Sequence, residues 1–139
     1  MKESPRTLAR ELVLQSLYAF DHGRSEPEEA YGEISREHEL DEKNLAFGRN
    51  LLQLVISNRR DADQHVARLA ENWNLDRIAA IDLNILRMAI TELDMVPDTP
   101  VKVVLNEAIE LAKKFSTIES SKFVNGILDK YVKQREQQV

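Results

Sequence analysis

Along nearly the whole chain apolar residues recur every three or four positions, and no stretch alternates with a period of two for long. That periodicity restricts the fold to helices packed by their apolar stripes, an all-α architecture. Four Gly and four Pro in 139 residues agree with it, since a β-sandwich with many turns needs more of both. A chain of this size buries about two-thirds of the surface it exposes when unfolded, enough for one domain without a metal or covalent staple. With no Cys, a disulfide framework, a thiolate metal site and a cysteine nucleophile are excluded.

Local punctuation places the helices. Ser4 reads as the N-cap and Pro5 as the first residue of a helix whose stripe is Leu8, Leu12, Val13, Leu17 and Phe20. His22-Gly23 should end it, because Gly takes a left-handed C-cap without strain. A shorter acidic helix is expected over about 27–37, anchored by Ala30 and Ile34. Asp41 reads as the N-cap of a helix carrying Leu45, Leu52, Val55 and Ile56, and a further helical pattern, Val66, Leu69 and Ala70, runs up to Trp73. After a break at 73–76 comes a long stripe from Ile78 to Leu93, with Asp82 placed to cap a segment within it. Pro97 ends that helix, and Thr99-Pro100 open another whose predicted buried face is Val101, Leu105, Ala108, Ile109 and Ala112. Ser116-Thr117-Ile118-Glu119 fits a capping box for a last helix, with Phe123, Ile127, Leu128, Tyr131 and Val132 facing inward. Six or seven helices result.

The net charge of −5, taken alone, argues against a nucleic-acid partner, but its distribution changes that reading. Nine acids against three bases fall in residues 21–45, which leaves the rest of the chain slightly positive. Lys2, Arg6 and Arg10 outweigh Glu3 within the first ten residues, and from position 101 onward seven bases face five acids. Such asymmetry admits a local anionic partner. No apolar stretch follows the N-terminal charges as in a signal peptide, and no apolar run approaches the ~18 residues of a membrane span. A cytoplasmic protein is expected.

Enzymatic motifs are missing. The glycines are isolated, so no phosphate-cradling loop is present, and His22, His38 and His65 have no metal-ligand spacing. No catalytic residue, metal or cofactor is expected. Two constellations remain. Arg6 and Arg10, four apart near the start of the first helix with Lys2 upstream and Tyr18 two turns on, offer what single-stranded RNA needs: counter-charge and a flat ring. The residues alone favour a structural role instead, with the arginines paired to local acids and Tyr18 topping the core. Lys122, Asn125, Gly126, Asp129 and Lys133 share one face of the last helix, with Phe123 at its edge. There Gly126 implies either close packing of another backbone or a surface that must stay flat.

Four stretches in this order resemble the NusB family of bacterial transcription antitermination factors. They are Ala9-Arg10-Glu11 with Leu17-Tyr18, the run from Trp73 to Leu93, the run from Pro100 to Lys113, and the run from Lys122 to Asp129. The acidic stretch 21–45 carries little of the likeness. The resemblance implies two three-helix bundles: one NusB-like domain over 1–139, with an N-terminal subdomain of about 1–74 and a C-terminal one of about 75–139. It also implies a non-enzymatic RNA binder. Such proteins recognise the boxA element of nascent ribosomal RNA together with NusE, a protein of the small ribosomal subunit, in an antitermination complex on RNA polymerase. Residue by residue, the family's arginine-rich N-terminus maps onto Arg6 and Arg10, with Lys2 beside them, and its first-helix aromatic onto Tyr18. Its C-terminal RNA-facing region maps onto Glu119, Lys122 and Phe123, and its partner-contacting acids on the central helix onto Asp76 and Asp82. The N-terminal cluster is sparser than in many relatives, with Thr7 and Leu8 intervening, so a shallower salt dependence is expected.

Two rivals from other classes stand beside this reading. One is a helical module that positions RNA for a separate modifying enzyme. The other is a protein-interaction bundle, a homodimer whose interface masks the basic edge.

Overall fold

A computed structural model of the chain describes residues 3–71 and 74–137, all helix and connecting turn with no strand among them. The elements are α1 (Pro5–Asp21), α2 (Pro27–Ser35), α3 (Glu42–Leu69), a 3-10 turn (Leu75–Arg77), α4 (Ala80–Met95), α5 (Val101–Phe115) and α6 (Ile118–Gln137). Lys2 and Trp73, which carry expectations above, lie outside the described residues. Among the described residues no helix is long and apolar enough to cross a membrane.

Two units divide the chain at Ile56/Ser57, inside α3. Nothing between 56 and 66 breaks a helix, so the two patterns read from the sequence are one helix of 28 residues. Asn58, Ala62, Val66 and Leu69 are all buried and carry its inward stripe through a stretch whose composition is polar.

In the unit Met1–Ile56, α1 starts and stops where the sequence says. The Thr7 amide donates to Ser4 Oγ at 3.0 Å, and Gly23 closes the helix with φ of 67°. Helix α2 packs on α1 but is anchored differently from expectation: Ala30 and Tyr31 are buried, and Ile34 is only half-buried. The Tyr31 hydroxyl donates to the Leu45 carbonyl at 2.8 Å, and its ring lies directly over Gly48. A Cβ at position 48 would overlap the hydroxyl and come within 2.9 Å of Cζ, so this helix-interior glycine is required by the tyrosine. Burial pushes the Tyr31 pKa up, against the opposing charge of Arg49.

In the unit Ser57–Val139, α4 packs on both α5 and α6. Every residue from Asp82 to Leu93 is buried, so α4 is enclosed on all sides rather than along one stripe. Its polar residues therefore need internal partners. Arg87 makes a two-pronged contact with Asp63, Nε to Oδ1 at 2.7 Å and Nη2 to Oδ2 at 2.9 Å, and a third bond to Asn84 Oδ1 at 3.0 Å. Thr91 Oγ1 accepts from the buried Asn58 amide at 3.2 Å.

The buried face of α5 is Val104, Ala108, Leu111 and Ala112, with Leu105 and Ile109 half-buried and Val101 exposed. This rotates the predicted face toward Val104 and Leu111, in a helix that packs on both α4 and α6. Helix α6 begins one residue later than the capping-box reading: Ser120 N donates to Thr117 Oγ1 at 2.9 Å, which makes Thr117 the cap and leaves Glu119 exposed. Inward on α6 are Ser121, Val124, Ile127, Leu128 and Tyr131, while Phe123 and Val132 are half-buried.

Candidate nucleic-acid interface

The N-terminal candidates form a small stack. Arg6 is half-buried, its Nε donating to Asn44 Oδ1 at 2.8 Å and its Cζ 4.0 Å from the centroid of the Phe47 ring. Asn44 is held in turn, since its amide donates to Asp41 Oδ1 at 2.7 Å, a bond that also holds the Asp41 carboxyl below its ordinary range. Arg10 lies 5.1 Å from the same ring but is only 3% exposed. The expectation that Arg10 presents its charge directly at the surface is therefore corrected. Packing a guanidinium against an aromatic face removes it from water, and the first-helix stripe brings position 10 inward with Ala9 and Val13. Phe47 and Asn44 were missed by the sequence reading. They sit on α3, some forty positions away, and only tertiary packing brings them to α1.

Tyr18 is half-buried and its ring stacks on His22 at 4.0 Å between centroids. His22 Nδ1 donates to the Tyr18 carbonyl at 2.8 Å, which fixes the imidazole against the phenol ring. Tyr18 is thus neither sealed in the core nor a loose surface ring.

The C-terminal candidates converge. A cavity of about 320 Å³ is bordered by Arg77, Ile78, Asp82, Glu119 and Phe123, so three residues singled out in the sequence line one depression. Asp82, however, is neither a helix cap nor an exposed acid. It is the third residue of α4, 6% exposed, with Oδ2 accepting from the Ser120 hydroxyl at 2.8 Å. Ser116 Oγ donates to Ser120 Oγ at 2.8 Å, so a run of hydroxyls ties the start of α6 to the start of α4. The other oxygen, Oδ1, is buried without a hydrogen-bond partner among the described residues. Asp76 is exposed in the 3-10 turn and not on the central helix, so the two expected partner-contacting acids do not share one helix face. Lys122 is exposed and pairs loosely with Glu119 at 3.7 Å. Gly126 is also exposed, and a Cβ there would meet nothing within 4 Å, so the close internal packing considered for it is absent.

A third cluster, Asp61, His65 and Asp94, brings potential metal-binding atoms within 4.8 Å of one another. Their donors and acceptors are already engaged. Arg68 donates to His65 Nδ1 at 2.7 Å, which leaves Nε2 as the protonated nitrogen, facing Asp61 at 3.5 Å. Asp94 accepts from the Tyr131 hydroxyl and pairs with Arg135 at 3.3 Å. The Tyr131 pKa is pushed up, first by burial and then by that bond to Asp94. The arrangement is a hydrogen-bonded ion network.

The described residues form an all-α protein that carries cation–ring stacks and a small depression lined in part by acids. Residues 7–133 match the NusB family, and the chain belongs to that family. The transcription antitermination protein NusB of Heliobacterium modesticaldum is 45% identical over 123 residues, which are 88% of this chain and 60% of that protein. The chain thus spans about three fifths of the length of this curated relative. Among solved structures, T. maritima NusB superposes with a TM-score of 0.85 at 34% identity, covering 95% of this chain and 93% of that one. A crystal structure of the antitermination factors NusB and NusE with dsRNA has the same fold, with a TM-score of 0.85 at 23% identity and coverage of 94% and 97%.

Proposed function

We propose that this chain is a non-catalytic RNA-binding transcription antitermination factor. With NusE it binds the boxA element of nascent ribosomal RNA in the cytoplasm and joins an antitermination complex on RNA polymerase. Membership of the NusB family supports the reading, as does the crystallised assembly of other family members with NusE and dsRNA.

The observation that carries it is the clamped Arg6. A guanidinium held by Asn44 and seated on Phe47 loses less conformational entropy on binding than a mobile one, and its fork matches phosphate oxygens. Arg10 adds positive potential behind it and supports the ring, while Tyr18 supplies a stacking face. In the other unit, Phe123 offers a second ring. Lys122 exchanges a weak surface ion pair with Glu119 for a phosphate at small cost, since both side chains are largely exposed. Asp76 is the exposed acceptor for a basic protein partner, while Asp82 is buried and lies among the residues that line the depression.

The test is a mobility-shift titration with boxA and scrambled RNA, with and without NusE, at two salt concentrations. Preference for boxA that grows with NusE is expected. Arg6→Ala should weaken binding several-fold and lower the salt slope by about 0.7 if it removes one phosphate contact on a single strand. Arg6→Ala and Tyr18→Ala proteins that bind boxA as well as the parent would overturn the assignment.

A further inference from the structure

Asp41 belongs to the acidic run 21–45, in which nine acids face three bases. It stands immediately before α3, its carbonyl accepting from the Leu45 amide at 3.0 Å, and Glu42 and Lys43 follow it. All three are exposed. By charge alone the start of α3 repels an anion, so removing Asp41 would strengthen binding to RNA. The hydrogen bonds around Arg6 point the other way.

Asn44 lies between two groups of opposite hydrogen-bonding character. On one side the Arg6 guanidinium can only donate, and its Nε does so to Asn44 Oδ1 at 2.8 Å. On the other the ionised Asp41 carboxylate can only accept, and its Oδ1 takes a bond from Asn44 Nδ2 at 2.7 Å. A carboxamide turned by half a rotation would set donor against donor and acceptor against acceptor. The two neighbours therefore admit one orientation of the amide, and Asp41 is the reason that Asn44 shows Arg6 its oxygen. The Phe47 ring, 4.0 Å from Arg6 Cζ, supports the guanidinium from a second direction. With Nε engaged, the Nη1–Nη2 edge is left to meet two phosphate oxygens.

We propose that Asp41 is a positioning residue for RNA binding: through Asn44 it holds Arg6 in the orientation that meets a phosphate, so an exposed acid promotes capture of an anion. The inference rests on the RNA-binding reading above and adds to it a residue that itself makes no contact with RNA. Two effects compete. Repulsion between Asp41 and a phosphate is weakened by water and salt, because Asp41 is exposed. The loss of order in Arg6 acts on the phosphate contact itself, at hydrogen-bond distance, and is the larger.

Asp41→Ser and Asp41→Asn test this. Serine keeps an N-cap acceptor for α3 but falls short of Asn44 Nδ2, whereas asparagine keeps an acceptor at that reach and loses the charge. In fluorescence anisotropy with labelled single-stranded boxA RNA, Asp41→Ser should bind about threefold more weakly, its salt slope dropping toward that of Arg6→Ala. Asp41→Asn should bind as tightly as the parent or more tightly. In an Arg6→Ala background Asp41→Ser should change nothing, a coupling that a loss of helix stability does not produce. Without RNA, the Arg6 Nε–H resonance should exchange with solvent faster in Asp41→Ser than in the parent. Asp41→Ser binding as tightly as the parent overturns the inference alone, since repulsion then outweighs positioning. An equal loss in the Arg6→Ala background overturns it too. If the parent fails to bind boxA RNA, with or without NusE, the proposed function falls and this role with it.

Discussion

In the unit Met1–Ile56, Arg6 of α1 lies part-exposed on an aromatic ring and is held by a neutral amide, with Arg10 buried beside the same ring. In the unit Ser57–Val139 the comparable arginine, Arg87, is locked onto a carboxylate inside a helix that is buried all round. The same side chain does different work in the two settings. The Arg6 guanidinium over Phe47 is part-exposed and has a neutral amide as its hydrogen-bond acceptor. The guanidinium bonded twice to Asp63 is neutralised and satisfies the buried Asn84 beside it, while Asn58 satisfies Thr91. Under the proposed function, recognition falls to Arg6, partnered by a ring and an amide, and architecture to Arg87, partnered by an acid.

Breaking the Arg87–Asp63 pair should have the largest effect on folding. Asp63→Ala removes the carboxylate from a buried guanidinium and should cost about 3 kcal/mol in urea denaturation, whereas Arg6→Ala should cost under about 1 kcal/mol. Equal losses would erase the distinction between the units. Next comes the Tyr31–Gly48 lock. Gly48→Ala should destabilise by about 1–3 kcal/mol through overlap with the phenol, and Tyr31→Phe in the same chain should recover part of that loss although it removes a hydrogen bond. If Gly48→Ala instead stabilises, as an ordinary helix substitution would, the tyrosine does not dictate the glycine.

The smallest expected effect sharpens the comparison by pH. Because the folded pKa of Tyr131 is raised, the folded state holds that proton more tightly than the unfolded chain does. Its stabilising contribution is complete below the ordinary tyrosine pKa of about 10 and is lost as pH climbs beyond it. Tyr131→Phe should cost about 1 kcal/mol at neutral pH and make stability less sensitive to alkali, read from denaturation at pH 7 and pH 10.5. An unchanged alkaline slope would remove Tyr131 as its source.

Helix ends were the most legible part of the chain. Ser4-Pro5 and His22-Gly23 bracket α1 as read, because capping depends on a few neighbouring residues and their own backbone angles. The Asp82 and Glu119 readings failed for the opposite reason. Both fit local capping patterns, yet Ser120 and Thr117 satisfy the groups in question, one through a contact across 38 positions. The surface position of the candidate side chains was legible, and their surroundings were not. Arg6, Tyr18, Lys122 and Phe123 all reach the surface at least in part, but their supports, Asn44, Phe47 and His22, were not foreseen.

By itself the sequence determined the helical class, the order of the elements, most of their ends and the family, since each follows from periodicity or from short runs of adjacent residues. Only the tertiary structure decided that α4 is enclosed on every side, that Arg10 and Asp82 are withdrawn from water, and that Gly126 stands open while Gly48 is filled. Those outcomes depend on which distant side chains meet, and the free energy of a charge or a missing methyl group is set by that meeting and not by its neighbours along the chain.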